Sequence, residues 1–264
     1  DLPVIRHEMR TEDAIEKFRQ LGVESKVKIL QFTGKIYTTV YEIDGYYDYF
    51  YGALMPTTSM AKLFDLISFY DGMLLRVPSK DNDGSLEPYV LQKKIGETFR
   101  EHHQWNRILG ITTIGDFNIA VERGFSTSLI NVSEALQEKK IAKIAEQIAE
   151  RKDVKIVLLA GPSSSGKTST CKRLSIQLMT CGKKPLQISL DDYFVDRENT
   201  PRQENGDYDY ESIYSLNLEL FNQQLSELLE GKEVQLPRYN FIAGKSEMSD
   251  KVLKMQDNNV LVIE

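Results

Sequence analysis

Cysteine is scarce: Cys171 and Cys181 are the only two in 264 residues, and no Cys-x-x-Cys pair occurs. That excludes a disulfide scaffold and a thiolate zinc site, and it points to a reducing cytosol. Histidine is nearly as rare. His7 is isolated, and the adjacent His102 and His103 point in different directions with no third ligand at metal spacing, so a structural role is expected for all three. Asp81-Asn82-Asp83-Gly84 opens like a calcium loop but lacks the glutamate at its twelfth position, and a plain turn is expected there. No apolar run approaches membrane-spanning length and no signal peptide opens the chain, so a cytoplasmic protein with no membrane partner is expected. The chain does not begin with Met, and a fragment of a longer protein is expected. A surplus of positive charge is also missing. With a net charge of −6, broad electrostatic binding of nucleic acid is disfavoured. The most basic stretch, Lys139 to Lys155, interleaves its lysines with Glu138, Glu146, Glu150 and Asp153 and reads as a solvated helix face.

What the chain does have is Gly161-Pro162-Ser163-Ser164-Ser165-Gly166-Lys167-Thr168, a match to the phosphate-cradling pattern Gly-x-x-x-x-Gly-Lys-Ser/Thr. Its context is the required one. Lys155 to Ala160 is an apolar run of strand length, and Lys167 to Thr180 reads as a helix with Cys171, Leu174 and Leu178 on one stripe and Gly182 as its stop. Gly161 and Gly166 are expected to take positive φ, letting the backbone approach a phosphate while amides and the helix N-terminus point positive charge inward. Gly161, Ser163, Ser164, Ser165, Gly166, Lys167, Thr168 and Ser169 form the expected nucleotide-binding set. Lys167 is assigned to the β- and γ-phosphates, and the Thr168 hydroxyl to Mg²⁺. ATP with Mg²⁺ is the expected cofactor.

Before this loop, Thr11 is expected to cap a helix with Ala14, Ile15, Phe18 and Leu21 on one face and Gly22 at its end. Val27 to Leu30 and Lys35 to Ile43 read as strands, with Thr33-Gly34 and Asp44-Gly45 as turns. Tyr46 to Gly52 carries five aromatic side chains, more suited to a sheet core than to base stacking. From Ser133 to Arg151, Ile141, Ile144, Ala145 and Ile148 follow helical spacing. The expected division is a domain over 1–104, a helical connector over 105–152 and a nucleotide-binding domain over 153–264.

Beyond the loop, Pro185 to Leu190 and Asn259 to Ile263 read as strands, with a helix from Ser215 to Glu230 between them. Such alternation implies a parallel sheet, and the expected fold is an α/β P-loop NTPase domain preceded by a separate α+β domain. In such sheets ligands bind beyond the carboxyl ends of the strands. The phosphate loop follows one strand, Asp191 a second expected to lie next to it, and Glu264 a third. Asp191 is the candidate base toward a hydroxyl, and Glu264 a candidate holder of Mg²⁺.

Asp191-Asp192-Tyr193-Phe194, Tyr208-Asp209-Tyr210-Glu211, Pro237-Arg238-Tyr239-Asn240-Phe241 and Val260 to Glu264 resemble the ordered motifs of the uridine kinase and phosphoribulokinase family. The resemblance implies a kinase that moves the γ-phosphoryl group of ATP to a hydroxyl of a nucleoside or related small molecule. It implies Asp191 as general base, and Asp192, Tyr193, Phe194, Glu211, Tyr239 and Phe241 around the acceptor. Uridine kinases carry a histidine where Gly244 stands, and an arginine-bearing lid downstream of the strand that ends at Glu264. The first part differs in kind. Asp48 to Thr58 and Leu91 to Phe99 resemble an editing-type domain of threonyl- and alanyl-tRNA synthetases, with Phe50 and Leu54 in place of its Cys and His. That implies a degenerate domain without hydrolytic activity. The pairing of the two parts resembles a bacterial group of uridine kinase-related proteins. The competing expectation is an ATP-sensing module that binds RNA or tRNA without turnover.

Overall fold

A computed structural model describes residues 1–79 and 84–264. The turn expected at Asp81-Asn82-Asp83 lies outside the described residues. The chain divides into two units, Asp1–Val132 and Ser133–Glu264. Residues 105–132 fall in the first and 133–152 in the second.

The first unit opens with β1 (Ile5–Arg10), α1 (Thr11–Gln20), α2 (Glu24–Leu30), β2 (Tyr37–Ile43) and β3 (Tyr46–Tyr49). The strands form an antiparallel sheet in the order β1-β2-β3. Asp44 and Gly45, at φ 49° and 78°, make the two-residue β2–β3 hairpin turn, as their Asp-Gly sequence directs. Ala14, Phe18, Val27, Leu30, Val40 and Tyr49 close the core between sheet and helices. Two expectations are corrected here. Val27 to Leu30 is helix rather than strand, because Val23, Val27 and Leu30 repeat at i, i+4 and i+7 and so face one core. Thr11 does not cap α1; its hydroxyl donates to the Lys35 carbonyl at 2.7 Å and lies 2.8 Å from the Thr38 hydroxyl, tying α1 to β2.

A second antiparallel pair, β4 (Asp65–Phe69) and β5 (Gly72–Arg76), precedes α3 (Lys93–Leu109) and α4 (Ile114–Glu122). Thr113 caps α4 in a reciprocal box, accepting from the Asp116 amide while Asp116 accepts from the Thr113 amide. Asp116 also meets Lys28 of α2 at 2.7 Å. Gly115 permits that approach, since a Cβ there would sit 2.4 Å from the Lys28 Cβ. The Lys28 ammonium, then the Thr113 and Thr112 donors, hold the Asp116 carboxyl far below the usual carboxylate range against the opposing effect of burial. A depressed folded pKa contributes stability that is fully present above the unfolded value near 3.9 and is lost as pH falls through the folded value. Urea midpoints are therefore expected to fall with acid below about pH 4, and Asp116→Asn to flatten that slope while lowering the neutral-pH midpoint.

Helix α5 (Ser126–Glu150) contains the division between the units. The second unit continues with β6 (Ile156–Leu158), α6 (Lys167–Thr180), β7 (Lys184–Ile188), α7 (Leu218–Leu229), β8 (Glu233–Asn240), β9 (Lys245–Lys254) and β10 (Asn259–Ile263). Strands β6, β10 and β7 form a parallel sheet in that spatial order. Strand β10 alternates between two cores: Val262 packs with Ile141, Ala145, Cys171, Leu174 and Leu178, whereas Leu261 and Ile263 join Ile188, Leu228, Val234 and Leu236. That places α5 and α6 on one face and α7 with the β8–β9 hairpin on the other. Full burial of four consecutive apolar side chains, Val260 to Ile263, contributes on the order of 1.5–3 kcal/mol each. Strand β6 is less enclosed than its apolar sequence suggests, for Leu158 is 74% exposed. Helix α7 starts later than expected because its cap is Asn217, whose Oδ1 accepts from the Leu220 amide; Ser215 instead forms a short 3₁₀ turn.

Candidate active site

Three chain segments meet at the carboxyl edge of the parallel sheet. Beyond β6, the loop over 161–166 turns into α6. Gly166 takes φ 85° just before the helix, but the second left-handed residue is Ser164 at φ 59°, not Gly161 as the sequence suggested. Gly161 is needed for space: a Cβ there would lie 2.7 Å from Ser165 Oγ and 3.3 Å from Lys167 Cγ. Lys167 folds back over the loop and donates to the Pro162 carbonyl at 3.1 Å. Ser163, Thr168 and Ser169 are exposed at the mouth of this cradle. Gly161→Ala is expected to leave the fold intact, because the Ser165 hydroxymethyl can rotate away, and to raise the Kd for MgATP about tenfold by filling the cradle, about 1.4 kcal/mol; isothermal calorimetry reads it.

The sheet order corrects the expected neighbours. Sequence order placed the Asp191 strand beside the loop strand, but the last strand, β10, lies between them. The backbone ladder runs on past its end. Leu159 donates to Ile263, Glu264 donates to Ile188 at 3.0 Å, and Leu190 donates back to Glu264 at 2.8 Å. Glu264 is thus pinned between the strand that enters the loop and the residue before Asp191. Asp191 and Asp192 lie in a short 3₁₀ turn, Leu190–Tyr193, with Asp191 exposed.

Glu264 Oε2 is buried without a hydrogen-bond partner. A buried acceptor-only oxygen without a partner, on the strand beside the one that enters the phosphate loop, is suited to a cation, and Glu264 with the exposed Thr168 hydroxyl are the residues that would hold Mg²⁺. Burial, and next the Glu264 charge, push the Cys171 thiol up; that cysteine is a packing residue behind the site.

The expected acceptor-side residues separate into two groups. Phe194 is the hub of an aromatic cluster, with ring centroids 5.8 Å from Tyr210, 5.5 Å from Tyr239 and 6.2 Å from Phe241. Tyr239 is 4% exposed and Phe241 56%, so the cluster grades from buried to open. Tyr193 is placed elsewhere: it is 2% exposed, donates to Gln224 at 2.8 Å, and burial pushes its phenol up to about 12. Alternation across the turn turns its side chain into the core while Phe194 faces the cluster. Glu211 is exposed, its amide bonded to Asp209. Sequence reasoning missed Arg197. Its guanidinium donates to the Phe241 carbonyl and interacts with the Tyr210 hydroxyl, and its amide donates to the Gly244 carbonyl at 2.9 Å. A cation three residues beyond Phe194 was the available signal.

Comparison with known proteins now bears on the same stretch. Residues 156–264 match the phosphoribulokinase / uridine kinase family. The family match covers β6 through Glu264 and therefore the whole edge just described. Among curated relatives, the uridine kinase of Streptococcus agalactiae is 27% identical over 114 residues, 43% of this chain and 53% of the relative. The uridine kinase of Schizosaccharomyces pombe is 33% identical over 90 residues, 33% of this chain and 19% of the relative. The chain spans about half the length of the bacterial uridine kinases it matches, 53% and 51% for two of them. A solved structure described as a possible uridine kinase from Bacillus stearothermophilus aligns with a TM-score of 0.41 at 22% identity, covering 48% of this chain and 70% of that one.

Among its described residues the first unit presents no comparable edge. Phe50 packs edge-on against Tyr41 with the Lys26 ammonium near its ring, and the Leu54 amide donates to the Tyr41 hydroxyl. His7 bonds Glu42 at 2.7 Å, and His102 and His103 lie exposed on α3. Among the described residues, no three His, Cys, Asp or Glu side chains cluster as a metal site, and no helix is long and apolar enough to cross a membrane. The likeness to a synthetase domain rests on residues 48–58 and 91–99 alone.

Proposed function

We propose that the second unit is an ATP-dependent kinase that phosphorylates a hydroxyl of a nucleoside or related small molecule. The observation that carries this reading is the placement of Glu264 by main-chain bonds between the phosphate-loop strand and the turn bearing Asp191. That supplies a phosphate cradle, a carboxylate with an unpartnered oxygen and an exposed carboxylate along one edge. The family match and the uridine kinase relatives support the same class.

In this reading the loop amides, the α6 N-terminus and Lys167 hold the triphosphate and the charge that develops on it. Glu264 and Thr168 would hold Mg²⁺, which would supply neutralisation of the triphosphate charge. Asp191 accepts the proton as the acceptor hydroxyl oxygen bonds to the γ-phosphorus and the bond from that phosphorus to the β–γ bridging oxygen breaks, leaving ADP. The aromatic cluster around Phe194 orients the acceptor so that its hydroxyl lies between Asp191 and the γ-phosphate. A screen of the full-length protein with ATP and GTP against nucleosides, sugars and sugar phosphates tests this. Phosphorylated nucleoside is the expected product, and transfer to none of these acceptors would refute the proposal.

A further inference from the structure

Arg197 occupies the place that a side chain at residue 244 would fill. Gly244 is buried at φ 67°, and a Cβ on it would lie 2.8 Å from both the Cζ and Nε of Arg197 and 2.9 Å from its Cβ. The arginine stem therefore lies flat over bare backbone, and its head is brought to the aromatic cluster. Two further ties fix it there: the Gly244 carbonyl accepts from the Arg197 amide, and the Phe241 carbonyl accepts from Nη2. The flanking residues lock the same turn. Asp196 accepts from the Ser246 amide and pairs with Lys245 at 2.9 Å, while Glu198 pairs with Lys245 at 3.0 Å. Lys245 is thus engaged and Arg202 lies over the Tyr208 ring, whereas the Arg197 charge acts on the Tyr210 and Tyr239 hydroxyls.

Beside it is a group that calls for a partner. The Tyr239 hydroxyl is buried and closes no hydrogen bond of good geometry, although the Arg197 charge acts on it against the effect of burial. A guanidinium has five N–H donors and no acceptor, and the Phe241 carbonyl and Tyr210 use only some of them. We propose that Arg197 selects the acceptor, favouring a planar ring whose edge presents oxo oxygens and rejecting one that presents an amino group. The inference rests on the kinase reading for where the acceptor lies. An oxo oxygen takes a charge-assisted bond from Arg197 within reach of the Tyr239 hydroxyl. An amino group there sets donor against donor.

The test uses the full-length protein and two matched pairs, uridine with cytidine and inosine with adenosine, each followed by phosphoryl transfer and by equilibrium binding. The oxo member is expected to lead by about 10- to 100-fold in kcat/KM, as one charged hydrogen bond warrants. In Arg197→Met both ratios should fall to within about twofold, chiefly through KM, with Arg197→Lys between. Circular dichroism monitors folding; if the methionine variant does not fold, the lysine variant decides, because it keeps the charge and loses the fork. Oxo-selective binding without transfer would sink the kinase reading and leave the role of Arg197 standing. Unchanged ratios in the variants, preference for the amino member, or no binding of any of the four would overturn it.

Discussion

Replacing Lys167 by alanine is expected to lower kcat/KM for phosphoryl transfer by roughly 10²- to 10³-fold, the scale seen when one preorganised charge is removed from a developing anion. The protein should remain folded. Lys167 makes a single side-chain bond, to the carbonyl of Pro162 in the same loop, and its stem lies over Gly161. Deleting it leaves no buried partner stranded, so thermal stability should move by no more than about 0.5 kcal/mol. Arginine should not restore the rate, since a planar fork is bulkier than an ammonium in a cradle where a Cβ at Gly161 would already crowd Ser165 and the Lys167 stem. Wild-type rates in the alanine variant, with every acceptor tried, would remove the phosphate loop from the chemistry.

Asp191→Asn probes the other side of the transfer. Loss of a positioned proton acceptor is expected to reduce kcat by roughly 10²- to 10⁴-fold. Asp191 is exposed at the head of a short turn whose framework is the Leu190 to Glu264 main-chain bond, so the amide should leave the turn and MgATP affinity unchanged within about twofold. Asp191→Glu, which keeps a carboxylate, should recover part of the loss that the amide causes. An unchanged kcat in the asparagine variant would assign the proton to another group.

Much of this site was legible because its sequence signals are local. The phosphate loop is a contiguous motif, and Val260 to Ile263 is apolar without interruption because β10 is buried on both faces. Spatial neighbours were not legible in the same way. Strand β10 inserts between β6 and β7, and nothing local to Pro185–Leu190 announces that its partner lies 75 residues on. The β8–β9 hairpin escaped for a different reason. Strand β9 is exposed along nearly all its length, so it carries no alternating pattern, and its charges read as loop. Val27 to Leu30 misled because β-branched residues in a four-residue window look like strand. The helical repeat emerges only when Val23 is counted with them. Arg197 required the fold itself, since it is joined to Gly244 across forty-seven positions.

The central position of β10 also governs how the unit can be made. Strands β6 and β7 pair with β10 and not with each other, so until residue 263 has left the ribosome neither has a hydrogen-bonded neighbour in the sheet. Parallel pairing over such a separation closes a long loop before any contact rewards it, which makes assembly slow. The phosphate loop therefore takes its place at the sheet edge only once β10 has paired with β6. Until then the nascent unit carries unpaired apolar strands, Ile156 to Leu158 among them, open to pairing with other chains.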